Sequence, residues 1–427
     1  MNRVRVERAL RLLPAIDAME PLRALLVSTP RSDEQSRWSS SGPYLTIGKH
    51  GVDIELLRRR VDDVLPRLTE HMSVLFSAYV GALSAAETGD GTAIVAALVA
   101  GGAAEERSHR IAQAAAWYDV AFRVAAELSE RGPEIDVLDR LGRAAHTRAR
   151  YEDAARYHQR ALVLAEAVFD HGATTRACVG LGNAALALAE LGGANAWFLR
   201  ALRHAESAVD SAWIGMVEHH LGVIAWRQGD PDRARTRLRR ARELLESVGA
   251  NAELSRVLCT VGEIECAIGN PDSGIAAGRE ALAWTERPGL GDALKVEVLV
   301  RVSDLYVLAG KLLDAEQELR RAEALAIDHR FGERLIDVYI AMGRLCSKRG
   351  DETGFVFFEQ ASELCRALAP VTTLEGRLYE EYGNFRLRFG ERDEGRAHLE
   401  RARQIFEAAG DVASLTRLRE EIAALTA

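Results

Sequence analysis

A Leu-Gly dipeptide at residues 221–222, within LGVIAWRQGDPDRARTRLRRARELL, returns along this chain with a period that leaves little choice of architecture. Glycine inside an apolar, helix-period run costs about 1 kcal/mol relative to alanine, so its recurrence needs a structural cause. The same frame is occupied by Leu141-Gly142, Leu181-Gly182, Leu221-Gly222, Val261-Gly262, Val302-Ser303, Met342-Gly343 and Tyr382-Gly383, at spacings of 40, 40, 40, 41, 40 and 40. Seven residues further on, a second turn residue recurs as Gly229, Gly269, Gly310, Gly350 and Gly390. Small residues stand twelve after the frame position (Ala154, Ala194, Ala234, Gly274, Ala315, Gly395), and alanine stands nineteen after it (Ala161, Ala201, Ala241, Ala281, Ala322, Ala402). Chance does not hold four offsets through seven units, so the chain is a repeat array.

The offsets predict what each unit is. An amphipathic helix A runs up to each Gly-Asp or Gly-Asn, the turn ends it, and helix B starts near Pro231-Asp232 or Pro271-Asp272, where proline suits the first helical position. Small residues at fixed points let the two helices approach closely. A single pair cannot bury its apolar face, so stacking must supply the core. Composition agrees: apolar residues are 48%, charged residues 28%, and only ten are proline, a helix-forming vocabulary without Val/Ile/Thr-rich alternating runs. The sixth unit slips, with Ala361 one place early in GDETGFVFFEQASEL.

These residues resemble the tetratricopeptide repeat, in which Leu-Gly, a turn glycine and two small helix-B positions recur at such offsets. The period is 40 rather than the usual 34, similar to the long repeats of kinesin light chains and bacterial peptide-sensing regulators. The resemblance implies an all-α fold, a right-handed tetratricopeptide-type α-solenoid with an N-terminal helical subdomain. The expected layout is that subdomain over 1–90, with a long loop at 28–51, then an eroded first repeat over 91–134. Seven repeats follow over 135–409, and a capping helix over 410–427. In the eroded copy, Ala114 and Ala121 stand one period before Ala154 and Ala161, but the helix ahead of them, TAIVAALVAGG, is expected to end at its glycine pair.

Charge and cysteine usage bound the setting. A formal charge of −8 offers no overall attraction to nucleic acid. Five scattered cysteines without a CxxC pair fit a reduced cytoplasm. The start, MNRVRVERALRLLPAIDAMEPL, lacks the uninterrupted apolar core of a signal peptide, and no apolar run is long enough to span a membrane. Pro66 is expected to break the helical pattern of 52–88 in two.

Chemical motifs are few. TIGKHG (46–51) lacks the spacing of a phosphate-binding loop and reads as surface loop. His219 and His220 are adjacent and diverge by about 100° on a helix, which does not suit one metal ion. Cys259 and Cys266 read as small core residues. No cofactor, metal or catalytic motif is expected. The arginines at 233, 235, 237, 239, 240 and 242 spread around their helix and read as an outer face rather than a nucleic-acid patch.

The resemblance implies that helix A lines a concave groove, with positions three and six before the frame glycine, and one, four and five after it, facing a ligand. Those positions give Asp139, Arg143 and His146; Arg176 and Asn183; His219, Trp226 and Arg227; Arg256 and Glu263; Asp304; Asp337, Arg344 and Lys348; and Arg377, Glu380, Asn384 and Arg388. Asn183, with Asn384 as its counterpart, takes the place where related repeats bond a bound peptide's backbone, for which an amide offers donor and acceptor together. The expected function is non-catalytic recognition of a protein or peptide partner. Two alternatives stand beside it: a peptide-responsive switch with the layout of bacterial Rap-type regulators, and an enzyme with its site in the first 90 residues.

Overall fold

In a computed structural model of the chain, the described residues are 38–39, 46–47, 70–108, 110–287, 290–368 and 372–426. Within the stretch expected to be loop, β1 (Trp38–Ser39) and β2 (Thr46–Ile47) form a two-residue antiparallel ladder, with Trp38 opposite Ile47. The rest of the N-terminal subdomain before residue 70, including Pro66 and the remainder of TIGKHG, lies outside the described residues.

Everything else in regular structure is helix. First come α1 (Glu70–Thr88), α2 (Gly91–Arg107) and α3 (Ile111–Ala125). The A/B pairs are α4 (Gly132–Thr147) with α5 (Tyr151–Ala167), α6 (His171–Ala187) with α7 (Leu191–Ser207), and α8 (Ser211–Arg227) with α9 (Pro231–Ser247). Next are α10 (Asn251–Ala267) with α11 (Pro271–Thr285), α12 (Asp292–Leu308) with α13 (Leu312–Asp328), and α14 (Gly332–Arg349) with α15 (Gly354–Leu368). The last pair is α16 (Thr372–Arg388) with α17 (Arg392–Ala409), followed by α18 (Val412–Thr426). This is the helix-pair architecture of a tetratricopeptide-type solenoid.

Local chemistry sets the boundaries. Asp210 and Asp230 accept from the backbone N–H groups of Trp213 and Arg233, capping α8 and α9. Pro231 and Pro271 open α9 and α11 where expected. The A-to-B turns need a left-handed residue, supplied by Gly229, Gly269, Gly310, Gly350 and Gly390. The first two repeats put Ala149 and Ala189 there instead. The B-to-A turns have the same need and place Phe169, Val209, Gly249, Arg330 and Gly410 in it.

The chain divides into two compact units, residues 1–147 with 156–173, and residues 148–155 with 174–427. In the first, α1 to α4 enclose a core with Leu75, Leu98, Trp117, Tyr118 and Val137. The glycine pair of TAIVAALVAGG does not end a helix, contrary to the sequence expectation. Gly101 and Gly102 lie inside α2, where a Cβ would run into the rings of Trp117 and Tyr118. Gly102 is thus a frame glycine, one period before Gly142.

In the second unit, one continuous core runs from Ala225 to Phe385, and a smaller one joins α17 to α18 through Leu399, Ala402, Phe406, Leu415 and Leu418. Each frame glycine meets a bulky residue of its own helix B. Gly182 faces Phe198, and Gly343 faces Phe358. A Cβ on Gly222 would lie 2.9 Å from Leu238 Cγ. In the fourth repeat both partners are glycine: a Cβ on Gly262 would sit 2.8 Å from the carbonyl oxygen of Gly274. Gly383 and Gly395 oppose each other in the same way. The slip in the sixth repeat is taken up in the Asp351–Thr353 turn, and Phe358 and Ala361 are both fully buried. Neighbouring A helices (α10 with α12, α12 with α14, α14 with α16) pack on one another more closely than neighbouring B helices do, which makes the A side the inner face of this unit.

Candidate functional site

The inner face of the second unit is built from the A helices α8, α10, α12, α14 and α16. Because they recur every 40 or 41 residues, equivalent positions stand side by side, and charges there pair between repeats. Arg256 Nε donates to Glu297 at 3.1 Å, and Arg334 donates to the other oxygen of Glu297 at 3.0 Å. Arg301 bonds Glu263 at 2.7 Å and donates to Thr260 Oγ1 at 3.0 Å. Arg344 donates to both oxygens of Asp304 at 2.8 Å and lies 3.6 Å from Glu381. Arg377 pairs with Asp337, which Arg334 also approaches at 3.7 Å.

Most of the charges expected to face a ligand in α10 to α16 are therefore engaged with one another. Arg256, Glu263, Asp304, Asp337, Arg344 and Arg377 form rungs between adjacent helices. Sequence reasoning missed several of their partners. Glu297 sits six before Ser303, inside the frame used, and an opposite charge one period after Arg256 was the available signal. Arg301 and Glu381 sit two before the frame position, an offset that was left out.

Positions three before the frame glycine behave differently: they point between helices. Glu380 is buried and paired with Arg417 of α18 at 2.8 Å. His219 bonds Thr260 Oγ1 at 3.0 Å, and burial pushes its imidazole down to about 3, with nearby His220, Arg301 and Arg256 adding to the effect. His220 stacks on Phe198 with ring centroids 4.6 Å apart. One residue earlier, fully buried Glu218 is held by Arg237 and Arg240 from α9, each at 2.8 Å. That accounts for much of the arginine run: Arg235 pairs with Glu265 and Arg242 with Glu280, both at 2.8 Å. These arginines rivet α9 to its neighbours.

On α6 and α8 the inner face is different. Asn183 is half-buried and Arg227 exposed, with no partner for either side chain among the described residues, and half-buried Trp226 rests on the core. Arg176 is half-buried on α6, and Asn384 is half-buried on α16. Lys348 and Arg388 are exposed in the last turns of α14 and α16.

In the first unit, Asp139 lies 3.6 Å from both Arg143 and His158. His158 is buried opposite Gly142, at the place taken by Phe198 and Leu238 in the next two repeats. Burial pushes its imidazole down to about 4, against the opposing pull of Asp139, while His146 and Arg143 push the same way as burial. His146 lies in the last turn of α4.

Among the described residues, no group of three or more His, Cys, Asp or Glu could hold a metal ion, and no helix is long and apolar enough to cross a membrane. Cys259 is fully buried, and burial pushes its thiol up to about 12.

No family model and no curated protein matches the chain. Among solved structures, it is similar to apo RapI, at 16% identity and a TM-score of 0.48, over 64% of this chain and 98% of that one. A Rap protein complexed with competence and sporulation factor gives 13% identity and a TM-score of 0.49, over 74% and 92%. A kinesin light chain from Podospora anserina ("Podosopora" in its printed description), built of TPR-like repeats, gives 11% identity and a TM-score of 0.38, over 48% and 99%.

Proposed function

We propose that this chain is a non-catalytic regulatory scaffold that holds a peptide or protein segment along the inner, A-helix face of its second unit. The observation that carries this reading is the contrast along that face. From α10 to α16 the charges satisfy one another, which presets the spacing of the helices before any ligand arrives. On α6 and α8, Asn183, Trp226 and Arg227 keep their recognition groups uncommitted. An amide can give and take a hydrogen bond from the same extended backbone. An indole supplies rigid contact area of the kind that dominates binding energy, and a guanidinium supplies five donors. A ligand meeting a prearranged face loses less affinity to ordering.

The test is to pan a random peptide library on the full chain and measure the recovered peptides by fluorescence anisotropy. An Asn183→Ala, Trp226→Ala double variant should bind them at least about tenfold more weakly, a loss of roughly 1.4 kcal/mol. Equal binding by the double variant, or a library that yields no binder, overturns the reading.

A further inference from the structure

The ladder on the inner face is balanced in total and uneven in distribution. Five arginines (256, 301, 334, 344 and 377) serve five carboxylates (263, 297, 304, 337 and 381). Glu297 has two guanidinium groups, Arg256 and Arg334, and Asp337 also has two, Arg334 and Arg377. Glu263 has Arg301 to itself. Asp304 and Glu381 must share Arg344, which is close to the first and at 3.6 Å from the second. Both carboxylates reach solvent on the groove side, with Asp304 38% and Glu381 29% exposed.

Resting on the groove reading above, we propose that this place takes a cationic group of the ligand, a lysine or arginine side chain or a free N-terminal ammonium, held between Asp304 and Glu381 beside Arg344. A carboxylate accepts several hydrogen bonds at once. The single shared guanidinium leaves lone pairs on both residues directed to solvent. Charge-assisted bonds of this kind are about twice as strong as neutral ones. Burial among the A helices holds both carboxyls above the usual carboxylate range, even though Arg344 and Arg377 pull the other way. Glu263 and Glu381's neighbour Glu380 add further negative potential, and each already has its own arginine. An arriving cation completes the neutralisation that Arg344 alone does not supply. An anionic group would meet repulsion at the same spot.

The experiment uses labelled tetra-arginine amide and tetra-glutamate amide as probes, titrated with the full chain at low ionic strength and followed by anisotropy. Tetra-arginine should bind, and Asp304→Asn and Glu381→Gln should each weaken it at least about tenfold, with thermal melts showing that the variants are folded. Glu394→Gln, on the exposed side of α17, should leave binding unchanged, and tetra-glutamate should not bind. Absence of tetra-arginine binding, or an equal loss in all three variants, overturns the site in favour of diffuse attraction to an acidic chain. Two Asp304 and Glu381 variants ensure that one that fails to fold does not leave the question open. Library peptides separate this inference from the reading it rests on. Binders that depend on Asn183 and Trp226 but show no enrichment of lysine or arginine would sink the cation site alone. A library without binders would sink the groove reading, while the tetra-arginine arm still decides the cation site.

Discussion

The seam between helices A and B within a repeat, and the inner face between successive A helices, obey different rules. At the seam, backbone closeness decides, so the residue types are nearly forced: glycine on helix A, and a bulky residue or another glycine on helix B. On the inner face only complementarity decides, so an arginine in one repeat can be answered by glutamate, aspartate or threonine in the next. Repetition in the sequence is thus a record of steric closeness, and the freedom of the inner face is where individual repeats differ.

The largest effect should come from breaking the seam where it is backbone on backbone. Gly262→Ala sets a methyl against the Gly274 carbonyl, which cannot rotate away, and should cost about 1–3 kcal/mol. Gly222→Ala should cost less, because the Leu238 side chain can shift. Urea denaturation of the two variants checks the order; equal losses would mean that backbone closeness does not set the rule.

The seam at His158 should respond to acid. Its imidazole titrates near 4 in the folded chain against about 6.5 when unfolded, so the unfolded chain binds more protons between those values. Stability contributed by the neutral ring is complete above about 6.5 and is lost as the pH falls toward about 4. His158→Phe, which copies Phe198, should flatten that part of the pH–stability profile. An unchanged profile would show that His158 does not titrate there.

On the inner face, Arg344→Met strands Asp304 and Glu381 without their shared guanidinium. These groups are about one-third exposed, so the loss should be only on the order of 1 kcal/mol, and smaller at high salt. A salt-independent melting temperature difference between this variant and the wild type would assign the effect to packing instead.

The smallest effect should be a gain. Val209 is a β-branched residue held at positive φ and is 83% exposed, so it pays for its turn without packing in return. Val209→Gly should raise stability by a few tenths to about 1 kcal/mol, the relief of strain being partly offset by glycine's freer unfolded chain. A lower melting temperature would contradict this account.

The same contrast explains what could be read from residues alone. The seam is legible because it repeats: Gly222, Gly229, Ala234 and Ala241 announce the helix pair, its turn and its two close contacts. Gly102 was misread because its helix-B partners, Trp117 and Tyr118, sit beyond the apolar run that was taken as complete. The inner face is only half legible. Period and offset bring Arg344 and Asp304 to the same face, but they do not reveal that the two neutralise each other. His158 and Glu380 were opaque for another reason. Their residue types suggest solvent, and only a neighbour's shape or a distant arginine shows why they are buried.

One further consequence follows from the way the apolar interior is partitioned. The cluster joining α17 to α18 is small and separate from the continuous core that ends at Phe385, touching α16 only through Tyr379 and Leu387. In a stacked array each pair is held by its neighbours, and the terminal pair has one neighbour where the others have two. The chain should therefore come apart directionally, peeling from its C-terminal end before the interior yields. Amide hydrogens of α17 and α18 should exchange through openings that leave α10 to α14 protected. Under a pulling force, that end would give the first and shortest extension step.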